Sequence, residues 1–221
     1  MRRLWIPLAI LAAAAAALVP LRWRTPAGAP ADSISSPETG TPSASYIGSE
    51  ACAGCHSAEA ASWKGSQHAG AMAKASDRTV LGRFEQTTFT YAGITSTFHK
   101  RDGRFYVRTD GGDGKLTDFE VGYTFGLYPL QQYLIPMPGG RLQALSIAWD
   151  ARPKAAGGQR WFHLYPNQPM PHTDPLHWTR HNQNWNYMCA DCHSTNLRAN
   201  YDLQSDCYAT TWSEINVSCE A

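Results

Sequence analysis

The sequence predicts an α+β fold in which helical and loop segments flank a β-meander insertion. Runs of β-branched and aromatic residues, separated by glycine-containing turns, occupy residues 87–91, 95–98, 104–109 and 119–125. Residues 57–75 are rich in alanine, which favours a helix. From residue 166 onwards, proline-rich and then His-, Trp- and Asn-rich stretches indicate loops and short helices. We therefore expect low regular structure around the cysteine pairs that lie on either side of the meander.

The N-terminus has the composition of an export signal. Two arginines precede an apolar run from Leu4 to Val19, and Arg22 and Arg24 follow it. We expect residues 1–24 to be a signal peptide, with an uncleaved N-terminal membrane anchor as the alternative. Residues 25–45 are rich in Pro, Ser and Thr and are predicted to be a flexible linker.

A single domain is predicted for residues 46–221, made of segments 46–78, 79–165 and 166–221. The whole chain has 221 residues and a formal net charge of +1. This charge gives no basis for nucleic-acid binding, which needs a clustered basic surface.

Four of the six cysteines form two C-x-x-C pairs, and a histidine follows each pair directly. The two motifs are Cys52-Ala-Gly-Cys55-His56 and Cys189-Ala-Asp-Cys192-His193. In such a motif the thiols bond to the vinyl groups of haem as thioethers, and the histidine binds the iron as proximal ligand. Two copies behind an export signal predict at least two haem c groups. A zinc- or disulfide-stapled binding module is the competing class.

The second axial ligand of each iron is less constrained, because six further histidines are available. His68 follows His56 by 12 positions, which is roughly 18 Å along a straight helix. It must therefore fold back at Gly65 or serve another haem, and we expect it to be a distal ligand. His177 and His181 are spaced i, i+4, and His177 is the preferred ligand of the two.

The last residues read Val217-Ser218-Cys219-Glu220-Ala221. A further Cys-His would complete a third haem motif, so we expect Cys219 to belong to a third site in a longer protein. A lone C-terminal cysteine is the alternative. Cys207 fits neither motif, and it is predicted to be a buried free thiol or the disulfide partner of Cys219.

Two strings are more specific than a generic haem motif: residues 184–195, Asn-Trp-Asn-Tyr-Met-Cys-Ala-Asp-Cys-His-Ser-Thr, and residues 217–221. They belong to longer stretches, residues 47–75, 123–150, 157–165, 174–195 and 211–221. These stretches resemble multihaem c-type cytochromes related to the tetrahaem cytochromes of ammonia-oxidising bacteria, particularly the long relatives fused to tetratricopeptide repeats. The resemblance implies bis-histidine haems, a periplasmic location and redox partner proteins. It also implies that Cys219 opens a third haem motif and that His68 and His177 match histidines of the family pattern.

Electron transfer is therefore the predicted function. The alternative is a multihaem oxidoreductase that reduces or oxidises a small nitrogen or sulfur compound at one open-site haem. Such an enzyme needs a free axial position beside a His, Arg or Tyr donor. No such group stands out in the sequence, so an electron carrier is favoured over an enzyme, and no catalytic residue is assigned.

Overall fold

The structure, a computed structural model, describes residues 45–221. The predicted signal or anchor and all but the last residue of the predicted linker lie outside these residues. Within them the strands, in chain order, are β1 (Met72–Lys74), β2 (Glu85–Tyr91), β3 (Ile94–Arg101), β4 (Arg104–Asp110), β5 (Leu116–Glu120), β6 (Tyr123–Phe125), β7 (Leu130–Met137), β8 (Arg141–Ala144), β9 (Ile147–Asp150), β10 (Arg160–His163), β11 (Tyr201–Asp202) and β12 (Cys207–Tyr208). The α-helices of the same range are α1 (Ser49–Ala53), α2 (Ser57–Lys64), α3 (Trp185–Met188) and α4 (Ala190–His193).

Strands β2 to β5 form an antiparallel meander in sequence order. Its first two connections are the two-residue turns Ala92-Gly93 and Asp102-Gly103, and all four residues have positive φ. Two consecutive positive φ values are typical of the type I′ turn, whose twist matches that of the flanking strands. The predicted run at 119–125 is divided, because β6 leaves the meander and pairs with β7.

The larger sheet is built around β7. The strand order is β1-β6-β7-β9-β10, and β8 also pairs with β7. Residues 141–150 thus run along β7 in two pieces, interrupted at Leu145 and Ser146. Side chains of a strand alternate between the two faces of its sheet. Accordingly, Tyr133 and Ile135 belong to one buried cluster and Leu134 belongs to another.

The first cluster lies between the two sheets and is mainly aromatic. Phe84 is 1% exposed and meets four aromatic rings edge-on at centroid distances of 5.1 to 5.6 Å. Phe98 of the meander stacks on Trp161 of β10. Edge-on aromatic pairs add to the free energy gained from burying their area, so this cluster joins the two sheets.

The second cluster covers the opposite face of the larger sheet. It contains Met72, Leu134 and Trp185, and Cys189 and Phe125 pack against it. The short helices of both cysteine motifs belong to this side of the molecule through the contacts described below. We call this layer, residues 47–70 and 184–220, the motif layer.

The α+β prediction, with helical haem segments flanking a β insertion, is wrong. In the described residues 35% are strand and 17% are helix, and the sheets are antiparallel. The predicted helix at 57–75 ends at Lys64, and Met72–Lys74 instead pairs with Tyr123–Phe125. Sheet pairing between segments distant in sequence therefore dominates, and the motif segments are one- or two-turn helices that pack on a sheet.

Across residues 45–221, none of the helices is both long enough and apolar enough to cross a membrane.

Candidate haem-attachment sites

The first motif forms the bend between α1 and α2. The carbonyl of Cys52 accepts hydrogen bonds from the backbone N–H groups of Cys55 (3.2 Å) and His56 (2.9 Å). His56 is the N-cap of α2, and its carbonyl accepts the N–H of Ala60. Residues three apart in a helical turn lie on one face, so the turn presents both thiols together with an exposed His56 after them.

The second motif lies where α3 ends and α4 begins, at Cys189. The N–H of Cys192 donates to the carbonyl of Cys189 at 3.2 Å, which repeats the turn of the first motif. His193 ends α4, and its ring lies edge-on to Phe125 at 4.5 Å between centroids. The two motifs therefore share a local geometry although they lie far apart in sequence.

Asparagines fix the second motif to the sheet. The side chain of Asn184 caps α3 by accepting the N–H of Tyr187 at 3.1 Å, and its amide donates to Gln143 at 3.0 Å. The side-chain oxygen of Asn186 accepts the N–H of Leu142 at 2.7 Å. All three polar side chains, of Asn184, Asn186 and Gln143, are buried, so each needs these partners. An Asn immediately before a helix is a recognisable N-cap signal, but the sequence does not show its partner in β8.

The thiols and imidazole of the second motif suit covalent haem. Burial raises the pKa of Cys189, and the neighbouring Cys192 adds to the shift, so the thiol stays protonated. Burial lowers the pKa of His193, which keeps the ring in the neutral form that binds metals. Its Nδ1 is buried and has no hydrogen-bond partner within residues 45–221. All six cysteines are free thiols, so both pairs are available for thioether bonds.

Residues 214–220 connect the two motifs. The backbone carbonyl of Glu214 accepts the N–H of Thr195 at 3.0 Å, directly after the second motif. Its carboxylate accepts the N–H of Ser49 at 3.1 Å and also bonds the Ser49 hydroxyl. Trp63 of α2 donates to the carbonyl of Val217 at 2.8 Å. One short segment thus holds both attachment turns in the motif layer.

Cys219 lies within this segment and contacts the first motif. The carboxylate of Glu220 accepts the N–H groups of Ile47 (3.1 Å) and Gly48 (2.7 Å). Burial raises the pKa of Cys52, and the nearby Cys219 raises it further. Cys207 lies elsewhere, in β12, where its thiol donates to the carbonyl of Ser205.

His68 is exposed and lies in the turn that follows α2. The helix ends at Lys64, so His68 does not lie on a straight continuation of α2. The carbonyl of the next residue, Ala69, accepts a hydrogen bond from Asn216 at 2.8 Å. His68 thus belongs to the motif layer, beside the segment that joins the two motifs.

His177 occupies a different place. It is 3% exposed, its Nε2 contacts Asp110 at 3.1 Å, and its Nδ1 contacts the Thr179 hydroxyl at 2.8 Å. Its neighbour Trp178 belongs to the core between the sheets, across the larger sheet from Cys189. Ligation of an iron by either nitrogen of His177 would require the contact of that nitrogen to break. His181 is exposed and stacks on Tyr187.

Within residues 45–221, the His, Cys, Asp and Glu side chains do not come together in groups of three or more that could hold a metal ion. The candidate sites are instead the two cysteine pairs, each with its adjacent histidine.

Residues 51–91 match the family model described as cytochrome c554 and c-prime. The matched segment contains the first motif and His68. No curated protein and no solved structure gives a significant match to the chain. The match covers 41 of the 221 residues, and over that segment the chain is similar to cytochromes of this family.

Proposed function

We propose that this chain is a periplasmic multihaem cytochrome that passes electrons between haems attached at both motifs. The observation that carries the proposal is the segment 214–220, which binds the first motif through Ser49 and the second through Thr195. Attachment sites held in one layer suit electron transfer within the molecule. Covalently bound haem supplies a one-electron couple whose potential depends on its ligands and its burial.

Each residue has a distinct part in this proposal. The thiols of Cys52 and Cys55, and of Cys189 and Cys192, would form the thioether bonds, while His56 and His193 would be the proximal ligands. His68 is the proposed distal ligand, supported by its exposed position in the motif layer. Phe125 shields His193 from one side, which favours a higher potential there than at the exposed His56, because burial disfavours the extra positive charge of ferric iron.

We also propose Cys219 as a residue of a third attachment site. Its support is the position of the next residue, Glu220, whose carboxylate accepts the backbone N–H groups of Ile47 and Gly48 just before the first motif. A group bound at Cys219 would therefore lie near the first motif. The exported location rests on the charged and apolar N-terminal residues, and redox proteins are the partners we propose.

A redox titration of protein matured in a host that attaches haem c tests this function. We expect reversible one-electron steps. In rapid-mixing reduction, we expect an electron to equilibrate between the haems at the two motifs faster than a second reductant molecule can react. Independent reduction of the two haems, at rates that each scale with reductant concentration, would contradict transfer between them. A ferric haem with an open axial position that turns over a small nitrogen or sulfur compound would favour the oxidoreductase alternative.

A further inference from the structure

A cavity of about 290 Å³ lies on the far side of the larger sheet from the motif layer. Its walls are the ends of β2, β4 and β10, the start of β3, the break between β8 and β9, and residues 169–172 and 177–178. Leu145, Met170 and Trp178 give it a largely apolar lining. Small-molecule sites are typically apolar cavities of about 300 Å³ or more with a few placed polar groups, so this cavity suits a small ligand.

Ser146 supplies the first polar group. It sits at the break between β8 and β9, lines the cavity and is 5% exposed. Its hydroxyl is buried and lacks a hydrogen-bond partner within residues 45–221. An unpaired buried hydroxyl is destabilising, so a bound molecule that pairs with Ser146 would gain free energy from it.

Asp110 supplies a negative charge. Its carboxylate lies 3.1 Å from Nε2 of His177, whose Nδ1 lies 2.8 Å from the Thr179 hydroxyl. Burial raises the pKa of Asp110, but hydrogen bonds from His177 and Thr109 outweigh it and hold the pKa below its ordinary value. This wall of the cavity therefore carries a carboxylate.

Lysine and arginine side chains do not pair with Asp110 within residues 45–221. In the part of the chain that the structure describes, the ion pairs of Asp110 involve His177 alone, and Lys and Arg are absent from the cavity wall. The guanidinium of nearby Arg180 donates hydrogen bonds to the carbonyls of His172 and Gly112 instead. The cavity is therefore unsuited to anions and suited to a positively charged head group.

His163 gives the cavity wall a rigid ring. Its Nδ1 lies 3.1 Å from the backbone nitrogen and 3.2 Å from the carbonyl oxygen of Tyr165. The ring stacks on Tyr91 at 4.1 Å, and the Tyr91 hydroxyl donates to the Tyr165 carbonyl at 2.6 Å. These contacts hold the imidazole rigidly in the cavity wall, as expected for a preorganised binding group.

We propose that this cavity binds a small organic cation, a primary amine attached to a single ring or a short apolar chain. The ammonium group would pair with Asp110 and Ser146, and the apolar part would lie against Leu145 and Trp178, whose ring also attracts cations. The proposal is separate from haem attachment, because the cavity and the motif layer lie on opposite faces of the sheet.

Calorimetric titration of the full, haem-loaded chain with three compounds of nearly equal shape tests this site: phenethylamine, 2-phenylethanol and phenylacetate. We expect phenethylamine to bind at least about tenfold more tightly than the alcohol, as a charge-assisted hydrogen bond predicts, and phenylacetate not to bind. Equal affinity for the three compounds, tighter binding of phenylacetate, or no binding of phenethylamine at millimolar concentration would overturn the proposal.

Asp110→Asn is the matched variant, since an amide oxygen still accepts the hydrogen bond from His177 but carries no charge. We expect an affinity loss for phenethylamine of about tenfold or more. Asp118→Asn, at a carboxylate on β5 that pairs with Arg101, is the control and should bind like wild type. Ser146→Ala, expected to weaken binding less, is a second variant should Asp110→Asn lower the melting temperature. If Asp110→Asn folds, unchanged affinity for phenethylamine in that variant would overturn the proposal. If it does not fold, unchanged affinity in Ser146→Ala would do so. Both outcomes count whatever the haem content.

Discussion

The carboxylate of Glu214 accepts the backbone N–H of Ser49 at 3.1 Å. Ser49 lies four residues after the end of the predicted linker. Because the backbone of Glu214 also pairs with Thr195, a single residue joins the start of the first motif helix to the end of the second motif. The relative position of the two cysteine pairs therefore depends on a hydrogen bond to a charged carboxylate. Such bonds are stronger than hydrogen bonds between neutral groups.

Glu214→Gln should lower the free energy of unfolding by about 1 kcal/mol at neutral pH, because it replaces a charged acceptor with a neutral one. Chemical denaturation of haem-loaded wild type and variant measures this difference. Glu85→Gln, at an exposed carboxylate on β2, is the control and should change stability little. A loss in Glu85→Gln as large as that in Glu214→Gln would contradict a specific role for Glu214.

The contribution of Glu214 should also depend on pH. Burial raises the pKa of Glu214, but hydrogen bonds from Ser218 and Ser49 outweigh it, so the net shift is downward from the ordinary value of 4.5. A lowered pKa means that the stabilisation is complete above about pH 4.5 and is lost as the pH falls through the folded-state pKa. The difference between wild type and Glu214→Gln should therefore shrink in acid, and a difference that grows in acid would contradict this assignment.

Phe84→Ala should destabilise the protein by about 3–5 kcal/mol, because it removes a ring that four aromatic neighbours enclose. Thermal or denaturant unfolding followed by circular dichroism measures the change. Leu116→Ala, at a side chain on β5 that is 43% exposed, is the matched control and should cost far less. A small effect of Phe84→Ala would mean that the two sheets do not share this core.

His68→Ala should convert one haem from low spin to high spin, since it removes the proposed distal imidazole. His177→Ala should leave the haem spectrum unchanged, because both nitrogens of His177 are used by Asp110 and Thr179. Electron paramagnetic resonance and visible spectra of the ferric proteins distinguish the two outcomes. A high-spin signal in His177→Ala with an unchanged His68→Ala would reverse the assignment.

The candidate attachment residues stand out in the sequence because C-x-x-C-H is a local chemical pattern. The first strands of the meander were predictable for a similar reason, since Asp102-Gly103 is a turn signal between β-branched runs. Both kinds of information lie within a few adjacent residues.

The fold class was not predictable in this way. Met72–Lys74 has helix-compatible residues, but it becomes a strand through pairing with Tyr123–Phe125, and a distant partner leaves no local signature. The same limit applies to Glu214 and Asp110, whose roles arise from contacts with Ser49 and His177. The i, i+4 spacing of His177 and His181 suggested a shared helix face, but the chain at His177 forms turns.

The central claim is that both cysteine pairs carry covalent haem. Intact mass and pyridine haemochrome analysis of protein matured with haem c test it most directly. We expect at least two haems in wild type, one fewer in Cys52→Ala/Cys55→Ala, one fewer in Cys189→Ala/Cys192→Ala, and no change in Cys207→Ala. A properly matured chain with no covalent haem, or one whose haem content is unaffected by either double substitution, would contradict the claim.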